Sequence, residues 1–204
     1  RHADWCLAVI ADAPPVDPVR DTAWFDFLEV ERVNLVAALR WLDEADRLDD
    51  MARLLIDTRW LWYPSGRQAE GLAWFQRLLE RHPRMEAITR SDALCWAGHL
   101  AQMLERPDAT AYLEQALALA RDIDDSRRQA VVTLMLAIMA EDRGDYGASK
   151  PLLQSARTLY SRDNIEWAQI TVDYHLGIVE YGSGRLTSAA KMLDAARIAA
   201  EAYG

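Results

Sequence analysis

The sequence has little cysteine and no long apolar run. Cys6 and Cys95 are the two cysteines among 204 residues, and each lies between apolar neighbours. This excludes a disulfide framework and predicts two buried, reduced thiols, which fits a reducing, cytoplasmic environment. No apolar stretch approaches the ~18 residues that a membrane-spanning helix needs, and no signal-peptide pattern is present.

Positive charge is also scarce. The chain has 23 Lys and Arg against 32 Asp and Glu, which gives a formal net charge of -9. An acidic surface repels phosphate groups, so we expect this segment to make no direct contact with nucleic acid. The same charge argues against binding to an anionic membrane.

Catalytic and metal-binding patterns are missing from the sequence as well. The four histidines are far apart in the sequence, so no two of them can share a metal at helical spacing, and no Gly-x-x-x-x-Gly-Lys-Ser/Thr phosphate loop is present. The carboxylate pairs Glu29/Glu31 and Asp49/Asp50 are typical of a solvated helix face and a helix cap. We therefore predict a non-catalytic segment with no catalytic residue, no metal and no cofactor of its own.

Apolar residues at helical spacing are abundant, and no strand pattern is visible. Hydrophobic residues make up 51% of the chain, and eight of them are tryptophan. Residues 1–46 are predicted as two N-terminal helices that lead into an array, separated by the proline-rich stretch 14–18. Residues 47–204 are predicted as four helix pairs, over 49–63 and 67–81, 86–104 and 108–122, 126–142 and 145–160, and 164–182 and 185–202.

Turn and cap residues mark the predicted helix ends. The first helix of the first pair should end at 64–66, and glycines at later breaks suit the left-handed residue that ends a helix. The predicted N-caps are Asp21 or Thr22, then Asp124, Asp125 or Ser126, and Asp163 or Asn164. Pro151 predicts a helix that either starts late, near Ser149, or is kinked.

A five-residue block recurs with a period near 40, at 74–78, 112–116, 152–156 and 192–196. Such a period indicates a helical solenoid. Small residues also recur, with Gly177 in the first helix of the fourth pair and Ala137 at the same place in the third. This arrangement resembles the tetratricopeptide repeat (TPR), although the usual period is nearer 34. The resemblance implies an all-α, right-handed superhelical solenoid of antiparallel helix pairs. Another type of helical repeat is the alternative.

A second resemblance covers the N-terminal part of the chain. The segment Glu31-x-x-Asn34-Leu35-x-x-Ala38-Leu39-x-Trp41 is followed by Trp60-Leu61-Trp62 and by Trp74-Phe75. This order resembles the region after the ATPase module in bacterial LuxR-type regulators and related signal-transduction ATPases with numerous domains (STAND, or predicted ATPases).

That second resemblance implies a sensor arm of a transcriptional regulator, with ATP and Mg²⁺ bound only by an upstream domain. We accordingly expect the chain to be part of a larger protein and to form one continuous solenoid. The expected partner is a protein, a peptide, a small inducer or the parent's own ATPase domain, and a homodimer is a further candidate. Two alternatives are a free-standing TPR scaffold and the regulatory arm of a multidomain enzyme such as a nucleotide cyclase.

The TPR resemblance also implies where a ligand binds, because the inward-facing residues of the first helix of each pair line a concave groove. Trp and Tyr at such positions are suited to anchoring a peptide or a partner helix. The predicted groove residues are Arg53, Ile56, Trp60, Tyr63, Ser91, Leu94, Leu134, Ile138, Glu141, Tyr174, Ile178 and Tyr181.

Overall fold

The computed structural model describes residues 1–11, 22–63 and 66–203. Over these ranges the chain forms α-helices and one 3-10 turn, and no strand. The helices are α1 (His2–Ala11), α2 (Thr22–Glu44), α3 (Leu48–Asp57), α4 (Gln68–Arg81), α5 (Ala87–Met103), α6 (Ala109–Asp122), α7 (Ser126–Asp142), α8 (Tyr146–Arg162), α9 (Glu166–Gly182) and α10 (Leu186–Tyr203), and the 3-10 turn spans Arg59–Trp62.

The helices belong to two compact units, Arg1–Leu119 and Ala120–Gly204. In unit 1, the largest fully buried side chains include Trp62 and Phe75. In unit 2, one core joins α7, α8 and α9, and it contains Leu134, Leu153 and Val172. Each unit therefore buries its own apolar set. The predicted proline break at 14–18 and the predicted cap Asp21 lie outside the described residues.

Six helices end in the same backbone turn. The residue after the helix C-cap has a positive φ, and the next amide donates to the carbonyl five residues earlier, as Arg185 does to Glu180 at 2.9 Å. This is the Schellman arrangement, which satisfies the last carbonyls of a helix. The residues with positive φ are Asp46, Glu105, Asp124, Gly144, Asn164 and Gly184. Glycine was expected in this role, and four other residues also fill it.

Close approach of two helices explains the small residues of the repeat. A Cβ added to Gly98 would lie 2.7 Å from the Leu113 side chain, and one added to Gly177 would lie 2.7 Å from Leu193. The third pair has Ala137 and Leu153 at these positions, and both are fully buried. Leu113, Leu153 and Leu193 are therefore equivalent residues, 40 positions apart, and each packs against a glycine or alanine on the first helix of its pair.

The first pair departs from this pattern, and the predicted helix over 49–63 is wrong. Arg59 and Trp60 stand where the other pairs have their small residue, so a continuous helix cannot approach Phe75 in the same way. The helix ends at Asp57, and the hydroxyl of Thr58 donates to the Leu54 carbonyl at 2.7 Å, a bond that bends helices.

A glycine on the opposite helix accommodates the altered first pair. Trp62 is fully buried, and a Cβ on Gly71 of α4 would lie 2.5 Å from the Cβ of Trp62. The small residue at the contact therefore lies on the second helix of this pair rather than on the first. The predicted end of the first helix at 64–65 falls outside the described residues.

The helix starts in unit 2 were predicted in part. Asp125 caps α7 as expected, because its carboxylate accepts from the Arg128 amide at 2.8 Å. The expected cap Asp163 or Asn164 is wrong, since α9 has Ile165 at its N-cap and Asn164 adopts a positive φ instead. Pro151 was expected either to delay the start of α8 to near Ser149 or to kink it. The late start is wrong, because the helix begins at Tyr146 and contains the proline.

One pair of identical substitutions tests the close contact between the two helices of the first pair. Gly71→Ala should destabilise the protein by about 1–3 kcal/mol, because its methyl group would overlap the buried Trp62. Gly147→Ala should instead stabilise it by about 0.5 kcal/mol, since its Cβ would meet only Asp145 Oδ1 at 3.6 Å. Urea unfolding measures both, and a Gly71→Ala protein as stable as the wild type would contradict this packing.

A second test concerns the turn between α5 and α6. Glu105 has φ of 53°, a conformation that costs a residue with a Cβ about 1 kcal/mol. Glu105→Gly should therefore raise the free energy of unfolding by about 0.5 kcal/mol, after allowance for the greater freedom of glycine in the unfolded chain. Glu105→Ala keeps the Cβ and should give no gain. Equal stability of the two variants in guanidinium unfolding would refute the explanation.

Candidate functional site

The inner faces of α3 and α5 enclose a cleft in unit 1. Its volume is about 580 Å³, and it lies between α3, the α4–α5 connection and the first turns of α5. This size is typical of sites for small ligands or for a few side chains of a peptide. The lining residues are Asp49, Arg53, Ile56, Asp57, His82, Arg84, Met85, Glu86, Thr89 and Asp92.

The lining of this cleft is charged, with four carboxylates against two arginines and one histidine. His82 Nε2 lies 2.7 Å from Asp49 Oδ1 at the rim. Arg53 Nε is 3.9 Å from Asp57 Oδ2, which is a loose pair on one helix. Because the carboxylates outnumber the arginines, the cleft favours a positively charged group over an anion.

Asp57 carries an electrostatic cost. Burial raises the pKa of this carboxyl above its usual value, Asp92 on α5 raises it further, and the nearby Arg59 and Arg53 only partly oppose the shift. Protonation of Asp57 therefore stabilises the folded state. A cation bound in the cleft would also stabilise the folded state, by offsetting the charge of the ionised carboxylate.

A cluster of aromatic rings joins the 3-10 turn that follows α3 to α2 and α5. The Trp60 ring meets Phe25, Tyr63 and Trp96 at centroid distances of 6.1, 5.8 and 5.1 Å. The Arg59 guanidinium lies over both indoles, 5.8 Å from the Trp60 ring centroid and 5.7 Å from that of Trp96. The cluster shows that these rings can hold a planar cation.

The members of the aromatic cluster differ in exposure. Trp96 and His99 are nearly buried, Trp60 is half-buried, and Tyr63 is 46% exposed. Tyr63 also stacks on His99 with ring centroids 5.7 Å apart. Trp60 Nε1 has no acceptor among the residues that the structure describes. Of the six groove residues predicted in this unit, Arg53 and Ile56 line the cleft, and Trp60 and Tyr63 belong to the aromatic cluster.

The predicted groove residues of unit 2 lie on α7 and α9. Tyr174 and Tyr181 are 49% and 63% exposed, and Ile138 and Ile178 are half-buried. Glu141 lies deeper, with Oε2 3.1 Å from His175 Nδ1 on the neighbouring α9. The exposed part of this face consists of two tyrosines one heptad apart.

Three predicted groove residues lie in the core instead. Leu94 and Leu134 are 2% and 4% exposed, and Ser91 donates from its hydroxyl to the Ala116 carbonyl at 3.0 Å. Their side chains fill the space between helices, because α5 and α7 are covered by neighbouring helices on that side. For the other nine residues, a binding role stays a prediction.

Several residues of this face were not predicted. Thr89, Asp92, Trp96 and His99 follow one another at spacings of three and four on α5, which places them on one side of the helix. That spacing was readable in the sequence. However, the predicted register pointed to Ser91 and Leu94, a face rotated towards the core. Arg59 was missed because the 3-10 turn redirects it.

The two cysteines were predicted to be buried, reduced thiols, and this is confirmed. Both cysteines are free and buried, and burial raises the pKa of the Cys95 thiol to about 12, so that thiol is a poor nucleophile. None of the described helices is long and apolar enough to cross a membrane. No cluster of potential metal ligands occurs in the parts of the chain that the structure describes.

Two solved structures share this fold. Both are of nearly identical TPR-like repeats of a "putative kinesin light chain" from Podosopora anserina, and one of them is a variant of the other. Their TM-scores are 0.61 and 0.59 at 12% identity, and the match covers 91% of this chain and 97% of each solved chain. The predicted all-α, TPR-like fold class is thereby confirmed.

The curated relatives are mycobacterial. The chain is 26% identical over 187 residues to "Putative HTH-type transcriptional regulator Rv0890c" of Mycobacterium tuberculosis and to Mb0914c of Mycobacterium bovis, which bears the same description. The match covers 87% of this chain and 21% of each relative. The chain thus spans about a fifth of the length of these relatives. No family model matches it.

The effect of the Asp57 charge on stability can be tested by removing that charge. Because the folded state raises the pKa of Asp57, ionisation destabilises it as pH rises above the normal range of a carboxyl. Asp57→Asn should therefore stabilise the protein at pH 7, by less than about 1 kcal/mol since the side chain is partly solvated. The gain should vanish near pH 3.

Asp43→Asn is the control with the opposite sign. Burial alone would raise the pKa of Asp43, but hydrogen bonds from Arg77 and Arg81 outweigh it and lower the pKa. Its stabilising effect is present at neutral pH and is lost as the pH falls through the lowered pKa. This variant should lose about 2 kcal/mol at pH 7. Chemical unfolding at pH 7 and pH 3 measures both variants. If both substitutions changed the free energy of unfolding at pH 7 in the same direction, the opposite roles given to Asp57 and Asp43 would be contradicted.

Proposed function

We propose that this chain is a ligand-binding or protein-binding sensor module of a bacterial transcriptional regulator, and that it performs no chemistry itself. The observation that carries the proposal is the charged cleft between α3 and α5, together with the aromatic cluster on the 3-10 turn after α3 and on the next turn of α5. The similarity to much longer HTH-type regulators supports it, since the match lies within a protein about five times as long.

The cleft is suited to a ligand that brings positive charge next to a flat apolar group. Asp57 and Asp92 line the cleft and attract the cation. Trp60 and Tyr63, which follow Asp57 closely in the chain, offer ring surface to the flat group. A free amine inducer or a basic segment of a partner protein would satisfy this chemistry. The partner could also belong to the parent's own ATPase domain. Direct contact with nucleic acid or a membrane is not part of the proposal, and the expected location is the cytoplasm.

Regulation would follow from a shift of populations. A ligand changes an equilibrium only by its difference in affinity for the two states. Asp57 supplies such a difference, because burial disfavours its ionised form and a cation bound in the cleft would stabilise that form. Couplings of this kind typically change affinity by roughly 5–150-fold.

The test uses the full-length protein that contains this chain. Neutralising the cleft with Asp57→Asn and Asp92→Asn should change the transcript levels of the regulated genes by about fivefold or more. Chromatin immunoprecipitation identifies these genes, and RNA sequencing measures the levels. The control neutralises two exposed carboxylates of α6, with Glu114→Gln and Asp122→Asn, and should leave transcription unchanged.

Two outcomes would contradict the proposal. One is a cleft variant whose transcript profile equals that of the wild type at equal protein level. The other is a parent reading frame that contains no DNA-binding segment, which would leave a scaffold role. Measuring the protein level by quantitative mass spectrometry separates a loss of stability from a loss of regulation.

A further inference from the structure

The outer face of α2 carries an apolar stripe that no other described element covers. Val30 and Val33 are 77% and 69% exposed, Trp41 is 45% exposed, and Ala37 between them is exposed as well. Their spacings of three, four and four residues place all four side chains in a narrow arc of the helix. Contiguous exposed apolar surface of this kind is typical of an interaction site.

Trp41 is held in place at one end of this stripe. The Arg47 guanidinium lies 5.4 Å from its ring centroid, and the same arginine bonds Asp4 Oδ1 of α1 and Asp50 Oδ2 of α3, each at 2.6 Å. The arginine therefore cannot leave the ring without breaking two ion pairs. A tryptophan fixed in this way loses little side-chain entropy on binding, which is a property of interface hot spots.

Carboxylates mark both ends of the stripe. Asp26 and Glu44 are exposed, and they are eighteen residues apart, which is five full turns, so they lie on the same line along α2. Arg40 is exposed too, but it lies on the flank of the stripe rather than at an end. A helix that covers the apolar residues therefore meets negative charge at both of its ends.

The size of the stripe decides between kinds of partner. From Asp26 to Glu44 it is about 27 Å long, and a helix is about 10 Å wide, so a covering helix would bury roughly 270 Å² on each side. A stable complex of separate chains needs roughly 1,200 Å² in total. Two copies of α2 packed antiparallel would also bring Asp26 close to Glu44 of the other copy. A tethered helix needs less area, because the linker raises its effective concentration.

We infer that this face of α2 docks an amphipathic helix of the same longer polypeptide, with apolar residues in its centre and Lys or Arg at both ends. The inference rests on the proposed function only in that the chain is part of a longer protein. The docked helix would fix the position of the sensor module at a surface separate from the α3–α5 cleft.

The test is site-specific thiol labelling of the full-length protein. Val33→Cys places a thiol in the stripe, and Glu114→Cys places one on the exposed side of α6 as the control. Maleimide labelling is followed by peptide mass spectrometry, which reads each position separately. If the helix docks, Cys at position 33 labels at least tenfold more slowly than Cys at position 114. Rates within about threefold of each other would overturn the inference.

Two further arms test the chemistry and the identity of the partner. Asp26→Lys together with Glu44→Lys should speed labelling at position 33 at least fivefold and leave position 114 unchanged. If labelling at position 33 is not accelerated, the inference that the partner helix has basic ends is overturned. Light scattering over the protein concentrations used for labelling tests whether a second copy covers the stripe. If position 33 is protected only at concentrations where the molecular mass doubles, the tethered helix is overturned in favour of a dimer. Neither readout depends on transcription, so a failure of this inference can be distinguished from a failure of the proposed function.

Discussion

The contact between the paired helices of each repeat is the constraint on which the rest of the structure depends. Leu113 and Leu193 can reach the neighbouring helix only because Gly98 and Gly177 leave room for them. Where the first pair has Trp60 instead, the helix breaks into a 3-10 turn. That break turns Arg59 and Trp60 towards Trp96 and so builds the aromatic cluster. The departure from the repeat and the candidate site thus have one cause.

The charges of unit 1 divide into two kinds. Asp43 is buried but satisfied, because two arginines donate to it and lower its pKa. Asp57 faces a cleft with a second carboxylate nearby, and its pKa is raised. The first kind stabilises the fold, and the second opposes it. A carboxylate kept at a cost to stability is a candidate for function.

Much of the fold was readable from the sequence, and less of the site. The forty-residue period and the small residues predicted the helix pairs, because close helix contact restricts which side chains fit. The register around α5 was not predictable in the same way. Ser91 and Asp92 are adjacent, and only the packing of α6 shows that Ser91 bonds inward to Ala116. The charged residues of the cleft come from three separate segments, so no local pattern connects them.

The repeated turns have a consequence for how such a chain can change in length. Each turn closes itself with hydrogen bonds between its own backbone atoms, and the last five recur every 19 or 20 residues. A duplication or deletion of one forty-residue pair therefore joins two ends that already match in conformation. Recombination within the gene could therefore lengthen or shorten the array without the need for a new kind of junction between helices.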